Sequence, residues 1–236
     1  MVKLSIVTVN WWGADWLDLL LRSIKKTVKG PVEIIVVDNS GELDKVKLSK
    51  DGVKVVKKEG LIRHGEGLDF GIKEASGEYI FAVDIDAHFL LPNWNELIID
   101  FFNDKKLRIL ACKGKHLKPI RPCGIFFRRD WFVTNMMSFE ARQFDGVKFD
   151  VGMHFYFKTL TLTADKGVDF FLYQQSQYEG VNGSEYTFRD QRFLYHNYYG
   201  CRWYDIAGAK CRAGFLNLTW DEFIKNKEQL FKVVNL

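Results

Sequence analysis

The sequence has no CxxC pair. Its four cysteines, Cys112, Cys123, Cys201 and Cys211, stand far apart in a chain of 236 residues. That spacing indicates neither a zinc knuckle nor a disulfide framework, and it leaves reduced thiols in a cytoplasmic protein as the expectation. An excess of one charge is also lacking. The 34 basic and 30 acidic residues give +4, far from a nucleic-acid-binding signature and slightly favourable to phosphate-bearing ligands. No apolar stretch approaches the span of a membrane helix, and the run inside MVKLSIVTVNWWG is too brief for a signal peptide. No transmembrane segment is expected, and at most peripheral membrane contact. Repeats, low-complexity segments and linkers are missing too, so one domain is expected over residues 1–236.

What is there is core material. The chain is 47% hydrophobic and 15% aromatic, enough to bury a full core. Its first hundred residues alternate between two periods. KLSIVTV (3–9) and VEIIVVD (32–38) are short β-branched runs, and between them Trp16, Leu17, Leu20, Leu21 and Ile24 recur at helical spacing. VKVVKK (53–58) reads as a third strand, GLDFGIKEAS (67–76) as a short helix and YIFAVD (79–84) as a fourth strand, apolar on both faces. Such strands belong to a parallel sheet covered by helices. A helix at NWNELIIDFFND and a strand at RILACK (108–113) follow. Farther on, CGIFFRRDWF reads as a strand entering a helix, DVGMHFYFKTLTLTADKG as a helix ending at Gly167, and VDFFLY as a strand. Thr219 and Glu222 fit a capping box opening a last helix, DEFIKNKEQLFK.

Ligands of open α/β sheets sit outside the carboxyl ends of the strands. Here those ends carry Thr8 and Asn10, then Asp38 and Asn39, then Asp84 and Asp86. Two carboxylates spaced i, i+2 on an extended backbone point to one face, which outlines a cation site. The bland alternative, helix capping or loop solvation, is the usual fate of an isolated acidic pair.

With SIVTVN, VVDNS and a DxD motif (Asp84 to Asp86) after ASGEYI in this order, the chain resembles the family 2 glycosyltransferases. The resemblance covers roughly the first hundred residues. It implies an α/β fold: a single GT-A-like domain with a mostly parallel central sheet flanked by helices. Residues 1–113 would form the nucleotide-sugar-binding half and 114–236 the acceptor-binding half. The implied activity is a metal-dependent transfer, with inversion, from a nucleotide-diphosphate sugar to a hydroxyl acceptor, glycan or lipid-linked. A UDP-sugar is favoured, with dTDP- or GDP-sugars as alternatives. Mn²⁺ or Mg²⁺ is the implied cofactor, since breaking a sugar–diphosphate bond puts charge on the phosphates.

By the same resemblance Asp38 anchors the nucleoside, Asp86 ligates the metal, and Asp84 serves the ribose or a metal-bound water. His196, late in the chain in LYHNYYG, matches a further metal ligand; His88 lies near the pair but in a new segment. In GLIRHGEGLDFGI, Gly65, Gly67 and Gly71 imitate a dinucleotide fingerprint in the wrong place, because the loop after the first strand lacks it. They match instead the segment whose small residues let backbone approach the nucleotide sugar. Arg63 and His64 there are candidates for phosphate or base, and Asp69 stands where many relatives carry Asn. The general base is assigned to Asp150, at the head of the helix where relatives keep an acidic pair, with Asp145 and His154 in reserve. A nucleotide-sugar-binding module without turnover and a sugar nucleotidylyltransferase are the rival readings. The latter requires a Gly-rich basic loop after the first strand, which is missing.

Overall fold

The computed structural model describes residues 3–57, 62–114, 120–141, 143–144, 147–148, 150–164, 166–175 and 183–197. The expected alternation opens the chain: β1 (Leu4–Asn10), α1 (Ala14–Thr27), β2 (Glu33–Asp38), α2 (Lys45–Lys50), β3 (Val53–Val56), α3 (His64–Lys73) and β4 (Tyr79–Val83). A three-residue strand β5 (Ala87–Phe89) precedes α4 (Trp94–Asp104), β6 (Ile109–Lys113), β7 (Ile120–Arg128) and α5 (Arg129–Thr134). A small hairpin, β8 (Gln143–Phe144) and β9 (Val147–Lys148), leads to α6 (Met153–Thr163). Strands β10 (Val168–Gln175), β11 (Ser184–Phe188) and β12 (Gln191–His196) complete the described elements.

Ten of these strands form one sheet in the order β3-β2-β1-β4-β7-β6-β10-β11-β12-β5. The α/β architecture is the expected one, and its sheet is mixed. β3, β2, β1 and β4 run parallel, as do β6 and β10, whereas β7 runs against both neighbours and β10 through β5 pair antiparallel. Local pattern does not decide this: β4 is buried along its whole length, which marks a central strand but does not set the direction of its neighbour.

Each face of the sheet carries its own core. On one, Leu20 and Ile24 of α1 and Trp94, Ile98 and Phe102 of α4 pack against Ile6, Phe81 and Phe126. On the other, Leu68 and Ile72 of α3, Phe132 of α5 and Phe155 of α6 pack against Val7, Ile35, Ile80 and Phe127. Each fully buried large apolar side chain contributes roughly 1.5–3 kcal/mol. The described aromatics are largely spent here. Phe127, Phe132 and Phe155 meet within 5.4 Å of one another, centroid to centroid, and Phe89 stacks on Trp94 at 4.2 Å.

The glycines of α3 are packing residues. A Cβ at Gly71 would stand 2.6 Å from Val7 Cγ1 and 2.9 Å from Val37 Cγ2, and one at Gly67 would stand 2.9 Å from Val9 Cγ2. Their smallness seats α3 on β1 and β2. The helix also starts at His64, three residues before the expected Gly67. Among the described residues no helix is long and apolar enough to cross a membrane. Thr219, Glu222 and the expected last helix lie outside the described residues, as does Asp145.

Candidate functional site

The acidic pair does not sit on extended backbone. β4 ends at Val83, and residues 84–87 make a turn in which Ala87 N donates to Asp84 O at 3.1 Å. Strand alternation therefore does not align the two carboxylates, as the i, i+2 spacing suggested. The turn aligns them, with Ile85 buried between. The chain then enters β5, which pairs with β12 so that Ala87 stands opposite His196. Asn197 N donates to Asp86 O at 2.9 Å and closes this junction.

The pairing brings His196 onto both acids. His196 Nε2 lies 3.2 Å from Asp86 Oδ1 and 3.4 Å from Asp84 Oδ2. One donor atom from each of Asp84, Asp86 and His196 falls within 4.8 Å of the others, a grouping able to hold a metal ion. Two carboxylates and an imidazole suit Mn²⁺ and related divalent cations. Burial alone would push the His196 imidazole down, but the charge of Asp86 and the contacts with both carboxylates carry it well above its ordinary range. For Asp84, burial raises the carboxyl while His196 and His64 outweigh it and hold it well below the usual carboxylate range. His88 belongs elsewhere. It neighbours Tyr195, on the strand face opposite His196, with ring centroids 5.0 Å apart, and burial aided by Arg192 lowers it to about 3.

His64 joins the acids from the other side. It is the first residue of α3, and its Nε2 lies 3.1 Å from Asp84 Oδ1. Arg63 beside it is exposed at the N-cap, where its N–H donates to Glu66 Oε2 at 3.0 Å. Asn39 sets this start: its Nδ2 donates to Ile62 O at 2.6 Å and its Oδ1 accepts from Ile62 N at 3.0 Å. Asn39 thus acts on the backbone that presents Arg63 and His64.

A second group forms where β1 and β2 end in register, Asn10 beside Asp38. The Asp38 carboxylate is buried and accepts from Gly41 N at 2.9 Å and Leu43 N at 3.3 Å, with Lys57 Nζ 3.5 Å away. Asn10 Nδ2 donates to Ser40 Oγ and Glu42 Oε1, both at 2.9 Å. Sequence reasoning missed Glu42 and Lys57, since neither carries a motif. Asp38 thus forms the turn that follows β2. Thr8, two residues inside β1, is fully buried, and its Oγ1 has no hydrogen-bond partner.

Asp150 precedes α6 by three residues, so it stands before the helix and not in its first turn; Gly152 holds the N-cap position with a φ of 78°. Val151 N donates to Asp150 Oδ1 at 2.9 Å. The segment is anchored through Gly152 N, which donates to Phe139 O at 3.2 Å, while Phe139 N and Ser138 Oγ donate to Asp69 at 2.8 and 2.6 Å. Asp69 thus ties α3 to the loop supporting Asp150, and burial raises its carboxyl despite those bonds. His154 is half-buried on the first turn of α6.

The model of the glycosyl transferase family 2 matches residues 5–132, more than half of the chain. The chain belongs to that family. Among solved structures, S. aureus TarS 1–349 superposes with a TM-score of 0.53 at 15% identity, covering 86% of this chain and 62% of that one. The complex of S. aureus TarS 1–349 with UDP-GlcNAc gives 0.48 at 17% identity, covering 59% and 49%. The mannosyltransferase PcManGT from Pyrobaculum calidifontis, solved with GDP-Man and Mn²⁺, gives 0.48 at 14% identity, covering 58% and 47%. The family 2 chain thus spans less than two thirds of each of these. No curated protein matches its sequence.

Proposed function

We propose that the chain is a metal-dependent glycosyltransferase that moves a sugar from a nucleotide-diphosphate donor to a hydroxyl acceptor with inversion. The observation that carries this reading is the convergence of Asp84, Asp86 and His196 at the carboxyl end of β4, in a chain of this family. The donor set fits a divalent cation. Asp86 and His196 would hold Mn²⁺ or Mg²⁺ there with Asp84, and such an ion would supply the Lewis acidity that neutralises charge on a departing diphosphate. Residues 1–113 would serve the donor and 114–236 the acceptor.

Asp38 and Asn10 shape the nucleoside end, with Thr8 behind them, while Arg63 flanks the diphosphate from the start of α3 and His64 beside it faces Asp84. Asp150 takes the proton of the acceptor hydroxyl as the new bond forms, on the face opposite the leaving group. A UDP-sugar is the favoured donor, with dTDP- and GDP-sugars next; the acceptor is a glycan or lipid-linked hydroxyl. The free thiols of Cys112 and Cys123 suit a cytoplasmic setting.

The test is turnover over UDP-, GDP- and dTDP-sugars with and without Mn²⁺, read as release of free nucleoside diphosphate with an acceptor. Metal-dependent release with an inverted anomeric product by NMR is expected. Pyrophosphate release would mean nucleotidyl transfer, and tight binding without release would mean a binding module.

A further inference from the structure

Asp84 has two neighbours that use its two oxygens separately. His196 faces Oδ2 at 3.4 Å, on the side shared with Asp86, and His64 faces Oδ1 at 3.1 Å. The terminal torsion of an aspartate is broad, so a lone carboxylate at a turn swings between one-oxygen and two-oxygen coordination. Here a residue on a separate element faces the outer oxygen. The backbone leading into His64 is held at Ile62 by the Asn39 pair of hydrogen bonds and at Arg63 by Glu66, and the His64 Nε2 atom, buried although the side chain is 36% exposed, makes no hydrogen bond but lies within ion-pair distance of Oδ1.

We propose that His64 is the positioning residue of the metal site: it occupies Oδ1 of Asp84 and turns Oδ2 alone toward the Asp86–His196 side. The role is distinct from direct contact with the diphosphate, and it rests on the reading of Asp84, Asp86 and His196 as a divalent-cation site. An outer partner that orients a ligating carboxylate is worth about 10- to 100-fold in metal affinity. It also couples the two ends of the donor site, because the Asn39 that follows Asp38 sets the start of α3.

The experiment is an EPR titration of Mn²⁺ in the presence of UDP, on wild type, Asp86→Ala, His64→Ala and His64→Gln. UDP affinity without metal and thermal stability are measured alongside. His64→Ala is expected to bind Mn²⁺ about 10- to 100-fold more weakly, with UDP affinity in the absence of metal unchanged. His64→Gln, which keeps a donor toward Oδ1, recovers part of the loss, and excess Mn²⁺ restores turnover in both. Wild-type Mn²⁺ affinity in His64→Ala would overturn the assignment, as would an equal loss of metal-free UDP binding, which would make His64 a nucleotide contact. A wild type that binds no Mn²⁺, or an Asp86→Ala variant that binds it normally, would instead sink the metal-site reading itself. If His64→Ala fails to fold, His64→Gln decides: Mn²⁺ affinity or EPR line shape altered with stability intact supports the role, and both unchanged overturns it.

Discussion

His196→Ala removes the imidazole that faces both acids, and the consequence depends on what that imidazole does in the metal-free protein. Its folded pKa is raised well above 6.5, so at neutral pH it is an imidazolium compensating two carboxylates. Deleting one partner of a buried ion pair costs about 3–5 kcal/mol. The side chains of His196, Asp84 and Asp86 are 11, 19 and 8% exposed, so some screening remains and the lower end, about 3 kcal/mol, applies. For a chain of this size that corresponds to a Tm lower by about 6–12 °C. The sign with pH follows from the two shifts. A raised His pKa stabilises fully below 6.5 and its contribution fades as pH climbs through the folded value; the depressed Asp84 pKa stabilises above 3.8 and its contribution fades as pH falls through the folded value. The metal-free triad therefore stabilises most between roughly pH 4 and 6.5. A metal must displace the proton of His196, so Mn²⁺ affinity should rise with pH by about tenfold per unit below the folded pKa. Calorimetric titration from pH 6 to 9, with thermal denaturation, reads both effects. A flat wild-type affinity, a variant that keeps the wild-type slope, or a Tm unchanged by the substitution would refute the reasoning.

Asp150→Asn should lower transfer by about 10²- to 10⁴-fold while donor and Mn²⁺ affinities stay near wild type; near-full activity there with loss in His154→Ala would move the base to the imidazole. Asp38→Ala should weaken free nucleoside diphosphate and intact donor by similar factors. It should also cost about 1.5–3 kcal/mol in urea denaturation, because Gly41 N and Leu43 N lose their acceptor; loss confined to the sugar-bearing ligand would reverse the proposed donor orientation. Gly71→Ala should destabilise by about 1–3 kcal/mol through overpacking against Val7 and Val37. An unchanged denaturation midpoint would show that α3 shifts to admit the methyl group.

The parts legible in the sequence were those written in local period. Val7, Val9, Ile35 and Val37 alternate, and Leu17, Leu20 and Ile24 recur by helical turns, because each element buries one face or both against its neighbours. α2 escaped notice for the complementary reason: it buries no residue, and only the Asp44 cap, accepting from Val46 N and Lys47 N, signals it. The family was legible for a related reason, since residues carried at successive strand ends keep their order in the chain. Long-range pairing was not legible. β5 has three residues, too few for any period to register, yet its pairing with β12 is what sets His196 beside Asp86 across more than a hundred residues. The direction of β7, the turn that aligns Asp84 with Asp86, and the approach of His64 to Asp84 depend likewise on partners remote in sequence. Side-chain pattern states what must be buried, whereas backbone pairing across the sheet decides which buried or polar groups meet, and that decision belongs to the tertiary structure alone.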